Sequence, residues 1–272
     1  MVDSSGQFGA LIRTDIARDA KLIRNANMMQ PTRTRRSWMI LPAHEPAEVL
    51  RHQEFKPDVA VLDLEYSVPP KAKERARSEL HALVKSCGES ESEIFVRVDR
   101  ETRWADVRAA VHRGIKGIVF PGPEEPAEVI ELGELIIALE KERGVDPGTT
   151  ELVLMLESGR GFWNAAALAA ASPRVTALGV GRIDLTMGLG PVPQGEFRLY
   201  RFLMTRTLLA ARMLAKQPLG ALWRPGSRGG AAPKEMTAKA AREGRLMGFT
   251  GCLCTTAEQV AAANAGYAGL GN

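Results

Sequence analysis

Two acids each end an apolar run, and they are the residues whose spacing most invites chemistry. Leu152 to Leu156 closes on Glu157 and a Ser158-Gly159-Arg160-Gly161 turn; one unit later, Val175 to Ile183 closes on Asp184. A continuous apolar run bounded by turn residues fits a strand buried on both faces of a parallel sheet. A charge at the end of such a strand is costly unless it is paired or holds a metal. If the two runs are neighbouring strands, the acids stand about 4.8 Å apart. Two carboxylates that close shift each other's pKa unless a cation lies between them. Oxygen ligands with no nearby His or Cys favour a hard ion, Mg²⁺ or Mn²⁺. A salt bridge to Arg160, Arg182 or Arg97 would satisfy the same acids, and spacing alone leaves both readings open.

Arg97 follows Phe95-Val96 in another apolar run. An arginine at a strand end suits two-pronged capture of a carboxylate or stabilisation of a developing oxyanion. Pairing with Asp63 or Glu65, one strand earlier, suits it equally, and both can hold at once. The loop Trp223-Arg224-Pro225-Gly226-Ser227-Arg228-Gly229-Gly230 is basic and glycine-rich. It reads as a lid in which Trp223 and Arg224 meet an anionic substrate, with an ordinary glycine-rich turn as the alternative.

Such residues need elements to position them. Strand-like segments recur at Ser37–Pro42, Val59–Glu65, Ile94–Asp99, Gly117–Gly122, Glu151–Ser158, Val175–Asp184, Leu219–Arg224 and Gly251–Thr256. Helix-like segments separate them: Glu45–Phe55, Pro70–Ser86, Arg103–Arg113, Glu124–Arg143, Phe162–Ala171, Glu196–Lys216, Pro233–Met247 and Glu258–Tyr267. This alternation predicts an α/β fold, a single (β/α)8 TIM barrel, over residues 35–272. A doubly wound open sheet also alternates, but no Gly-x-Gly-x-x-Gly follows the first strand. In a barrel the chemistry lies at the C-terminal ends of the strands, where Glu157, Asp184 and Arg97 fall. Residues 1–34 read as an N-terminal extension, with a short helix over Asp15–Met29, that packs on a neighbouring subunit or remains a tail.

Composition narrows the class. The 272 residues are 45% hydrophobic and 25% charged, as in soluble globular proteins. The net charge of +4 comes from scattered basic residues, which favours anionic small molecules over nucleic acid. Cys87, Cys252 and Cys254 form neither a disulfide framework nor a zinc spacing, which points to a reducing cytoplasm. No run reaches the length of a membrane span, and the N-terminus is too polar and acidic for a signal peptide.

Five segments, in order and in register with this rhythm, carry a family resemblance. They are Arg35-Arg36-Ser37-Trp38-Met39-Ile40-Leu41-Pro42, Leu62-Asp63-Leu64-Glu65, Phe95-Val96-Arg97-Val98, Leu156-Glu157-Ser158-Gly159-Arg160-Gly161, and Gly179 to Asp184-Leu185. Over roughly residues 35 to 260 the chain resembles the HpcH/HpaI aldolase/citrate lyase family of the phosphoenolpyruvate/pyruvate superfamily. The resemblance implies a TIM barrel assembled as a homotrimer or homohexamer, with Mg²⁺ held by Glu157 and Asp184. It makes Arg97 the contact to the substrate's carboxylate and carbonyl oxygens, and Glu65 an acid near the metal's water shell. Gly159 falls in the substrate-binding turn, and Arg36 in the segment that approaches coenzyme A phosphates where that thioester is used.

The implied reaction is that of a carbon–carbon lyase or aldolase acting through a metal-stabilised enolate on a small 2-oxo or hydroxy acid of the pyruvate, oxaloacetate or glyoxylate type. Several positions depart from the family pattern. Tyr66 stands where an acid is usual; its phenol can donate a proton but cannot accept as a carboxylate does. Thr256-Ala257 replaces a His-Pro, and Ile183 an acid. His44, just after the first strand where Gly-Asn is more usual, is a proton-transfer candidate. The chain ends at Asn272, short of the C-terminal segment that coenzyme A lyases of the family often carry, which weighs against the alternative of an acyl-CoA lyase or thioesterase. An alternative of another class is a catalytically reduced protein that binds a metabolite or a partner.

Overall fold

The computed structural model describes residues 34–88, 90–181, 196–221 and 234–269. Within them eight parallel strands form: β1 Ser37–Pro42, β2 Val59–Asp63, β3 Glu93–Arg97, β4 Gly117–Pro121, β5 Glu151–Leu156, β6 Val175–Val180, β7 Gln217–Leu219 and β8 Cys252–Cys254. They are hydrogen-bonded in the order β7-β6-β5-β4-β3-β2-β1-β8. The last gap is bridged by Leu219 and Gly251, with Gly220 N donating to Gly251 O at 2.8 Å and Thr250 N to Pro218 O at 3.1 Å. The expected (β/α)8 barrel is therefore the fold.

Helices on the outside are α1 Pro46–Leu50, α2 His52–Phe55, α3 Lys73–Ser86, α4 Arg103–Ala110, α5 Pro126–Arg143, α6 Gly159–Trp163, α7 Ala165–Ala170, α8 Glu196–Met213, α9 Lys234–Met247 and α10 Ala257–Gly266. Two of the expected helices are each split in two. The helix of the fifth unit starts earlier than expected because Ser158 caps it, its Oγ accepting from Gly161 N at 3.1 Å. It breaks at Asn164, whose side-chain amide is drawn to Glu124 O at 2.8 Å. The seventh strand, expected over Leu219–Arg224, instead begins at Gln217. Pro218, a residue without an N–H, lies inside this short strand at the closure of the barrel.

Side-chain alternation sorts each strand into two layers. Trp38, Val59, Val61, Phe95, Val119, Val153, Met155, Ala177 and Leu219 fill the barrel interior. The opposite faces join a larger core under the helices, including Leu62, Val96, Ile118, Leu154 and Leu178. The same period of two fixes both ends of the interior. On β5, Glu151, Val153, Met155 and Glu157 all point inward, so one acid lies at the base and one at the mouth.

The base is closed by charge. Arg35, fully buried, donates from Nη1 to Glu151 Oε2 at 2.7 Å and from Nη2 to Glu151 Oε1 at 3.0 Å and Glu93 Oε1 at 3.1 Å. Thr176 Oγ1 donates to Glu151 at 2.7 Å, and Lys116 Nζ lies 3.2 Å from it. Burial pushes the Glu151 carboxyl up, but the Arg35 hydrogen bonds and charge, then Thr176 and Lys116, bring it below the usual range.

Candidate active site

Arg97 ends β3 in register with Asp63, which ends β2. Its Nε and Nη2 each donate to Asp63 at 2.7 Å, a two-pronged pair, and Nε lies 3.3 Å from Glu65 Oε2. Asp63 is fully buried and also accepts from Glu65 N at 2.9 Å and Ser67 N at 2.8 Å. Burial raises its pKa, but Arg97 and Ser67 outweigh that and hold it below the ordinary value. Burial likewise opposes the charged form of Arg97. The Asp63 hydrogen bonds, then attraction to Asp63, Glu65 and Glu157, reverse that and raise its pKa. Arg97 Nη1 makes no hydrogen bond to the described residues, so it keeps its donors for a ligand.

Glu157 follows β5 and is flanked by a glycine from each neighbouring strand. Gly122 N donates to Met155 O and Gly181 N to Leu156 O, both at 2.9 Å, which holds these glycines against the end of β5. A methyl group on Gly122 would meet Glu157 Oε2 at 3.2 Å, and one on Gly181 would overlap the carboxylate's Cγ and Oε1. The carboxylate therefore lies in a cradle that a side chain at either position would fill. Neither glycine stands out in the sequence; the signal was their place, immediately after the strands flanking β5.

The mouth thus brings Arg97, Glu65 and Glu157 together, as expected, and adds Asp63 as the clamp on Arg97. Other expected residues fall elsewhere. Tyr66 is 76% exposed, in the turn that Glu65 N and Ser67 N close on Asp63. Arg36 precedes β1, at the base of the barrel, and pairs with Asp58 from Nε and Nη2, both at 2.8 Å. That end is opposite to Glu157, which removes Arg36 from the mouth. Gly159 is exposed at the start of α6. His44 follows β1, with Nε2 3.2 Å from Glu45 Oε1 and Nδ1 buried without a hydrogen-bond partner among the described residues. Asp184, Trp223, Arg224 and the Asp15–Met29 segment lie outside the described residues.

The carboxylates of Asp63, Glu65 and Glu157 all attract the charge of Arg97, and hard oxygen donors gathered at one strand-end mouth suit a divalent cation. The donors are hard oxygens, and the absence of side chains at Gly122 and Gly181 lets Glu157 stand at the mouth, so the chemistry of the residues present fits Mg²⁺. Among the described residues no three His, Cys, Asp or Glu side chains are grouped to hold a metal by themselves.

Comparison with known proteins agrees with the fold. Residues 36–257 match the family described as HpcH/HpaI aldolase/citrate lyase, and the chain belongs to that family. Citrate lyase subunit beta of Leuconostoc mesenteroides subsp. cremoris is 33% identical over 177 residues, which are 63% of this chain and 59% of that protein. The Escherichia coli (strain K12) subunit is 29% identical over 66% of this chain and 61% of its own length. The chain thus matches less than two thirds of the length of these curated relatives. In structure, the citrate lyase beta subunit from M. tuberculosis complexed with oxaloacetate and magnesium superposes with a TM-score of 0.68 at 23% identity, covering 86% of this chain and 97% of that one. Haloferax volcanii malate synthase gives a TM-score of 0.75 at 19% identity, covering 87% and 76%.

Proposed function

We propose that this protein is a Mg²⁺-dependent carbon–carbon lyase or aldolase for a small 2-oxo or hydroxy acid, with Glu157 and Asp184 as the residues that hold the ion. The observation that carries the reading is the convergence of Asp63, Glu65 and Glu157 on Arg97, whose Nη1 keeps its donors for a ligand. The ion, when bound, supplies Lewis-acid charge to a substrate carbonyl oxygen. Arg97 does the remaining electrostatic work: it donates to the oxygen that becomes negative as the carbon–carbon bond breaks, from a position fixed in advance by Asp63. With Asp63 committed to clamping Arg97, Glu65, 3.3 Å from the guanidinium, is the candidate for proton transfer and His44 the second. Relatives named citrate lyase subunit beta and a structural neighbour holding oxaloacetate and magnesium support the same class.

The acyl-CoA reading draws support from relatives named L-malyl-CoA/beta-methylmalyl-CoA lyase, but not from Arg36, which is bound to Asp58 at the far end of the barrel. We also propose self-association, supported by an exposed apolar stripe on α8: Leu199, Phe202, Leu209 and Met213.

Isothermal titration of pyruvate and oxaloacetate, with and without Mg²⁺, tests the function. Binding that requires the metal and is lost in Glu157→Gln is expected. Binding indifferent to the metal, or unchanged in that variant, would overturn the reading.

A further inference from the structure

Arg100 lies three residues beyond Arg97, in the turn after β3, and its circumstances are the reverse. Arg97 is mostly covered and clamped by a fully buried Asp63. Arg100 has a side chain 48% exposed, and its ion pair is a loose one, Nη2 to Glu124 Oε2 at 3.8 Å. An exposed pair at that distance is worth little and exchanges readily. The neighbouring acid does not compete for it, because Asp99 pairs with Lys73 and accepts from Glu101 N.

The place where Arg100 points is set by Gly122, which takes φ +57° directly after β4. A methyl group on Gly122 would lie 3.2 Å from Arg100 Nη1 and also 3.2 Å from Glu157 Oε2. The guanidinium and the carboxylate therefore face each other across one small gap, kept open because residue 122 has no side chain. A ligand anchored beside Glu157 and Arg97 meets Arg100 next, on the β4 side of the mouth.

We propose that Arg100 is a specificity-determining residue: it receives the second anionic group of a dicarboxylate whose 2-oxo-acid end is held at Glu157 and Arg97. The inference rests on the oxo-acid reading of the site. A substrate carboxylate replaces the loose Glu124 pair with a direct, charge-assisted one. Arg97 cannot serve this second group, since breaking its buried pair with Asp63 is strongly unfavourable.

The test is calorimetric titration of the full chain, in Mg²⁺, with pyruvate and with oxaloacetate. Arg100→Ala weakens oxaloacetate by about 10-fold or more and leaves pyruvate within about 2-fold. Arg100→Lys recovers part of the loss, and Glu124→Gln, which frees Arg100, tightens oxaloacetate alone. Equal effects of Arg100→Ala on both ligands, or none on either, overturn the inference while leaving the oxo-acid reading intact. A wild-type chain that binds neither ligand overturns that reading and the inference with it. Arg100 is exposed and Glu124 half-buried, and melting curves of both variants confirm folding before the titrations are compared.

Discussion

At the scale of single residues, Asp63 decides what Arg97 can do. A guanidinium this deeply placed needs a partner to stay charged and ordered, and Asp63 supplies it through two 2.7 Å bonds. Asp63→Asn keeps the shape but removes the charge and one acceptor. Turnover should fall about 10- to 100-fold, with thermal stability lower by about 3 kcal/mol, checked by steady-state kinetics and denaturant melts on the same sample. Normal turnover in a properly folded variant would show that Arg97 is positioned by other means. Much of this was legible beforehand: the end of a third strand placed Arg97, and pairing with Asp63 or Glu65 was an open alternative. Tyr66 was not legible, because it lies three residues beyond the end of β2, in a turn closed on Asp63 where the period of two no longer applies.

At the scale of elements, the strands announce themselves and the charges that pin them do not. The first strand matches its expected bounds, and the next five lie within a few residues of theirs, because buried parallel strands are unbroken apolar runs. Arg35, Glu151, Arg174 and Glu140 are buried charged residues whose burial no apolar pattern signals, and Glu93 is a half-buried partner of Arg35. Arg174 donates from Nη1 and Nη2 to Glu140 at 2.8 and 2.6 Å, and Glu140 also accepts from Gly148 N and Thr150 N, both at 2.9 Å. One acid thereby fastens α5 to the entries of β5 and β6. Burial raises the pKa of Glu140, but these bonds more than offset it, and the group titrates below its ordinary value. The same net direction holds for Asp63 and Glu151. A depressed carboxyl contributes stability that is present above its unfolded pKa and lost as pH falls through the folded one. The protein should therefore lose stability below about pH 4. Glu140→Gln should cost about 3 kcal/mol near neutrality and lessen that acid dependence. Urea melts from pH 7 down to 3 measure both, and an unchanged pH slope would remove Glu140 from the account.

At the scale of the whole molecule, two outer helices carry unlike faces. On α8, Phe202, Leu209 and Met213 are 61%, 60% and 68% exposed and, with Leu199 and Arg206, repeat at spacings of three and four. Trp163 extends the patch, with the Arg206 guanidinium 4.7 Å from its ring. From Leu199 to Met213 this helix has Arg201, Arg206 and Arg212 and no acid. On α5 the exposed apolar residues Ile130 and Ile137 stand beside exposed Glu131 and Glu134. A basic apolar face and an acidic apolar face suit head-to-tail contact between copies, whereas two α8 faces would repel. α5 and α8 are two positions apart in a ring of eight, so their outward directions differ by about a quarter turn. Head-to-tail contacts at such an angle close into a small ring. Phe202→Glu and Ile137→Glu alter only exposed side chains, one on each face. Each should be monomeric by light scattering where the wild type is oligomeric. Mixed together they should form a dimer and stop there, because each variant retains the face that the other has lost. A monomeric wild type, or a mixture that stays monomeric, would rule out head-to-tail assembly through these helices. Phe202→Glu that remains oligomeric would place the interface elsewhere on the barrel.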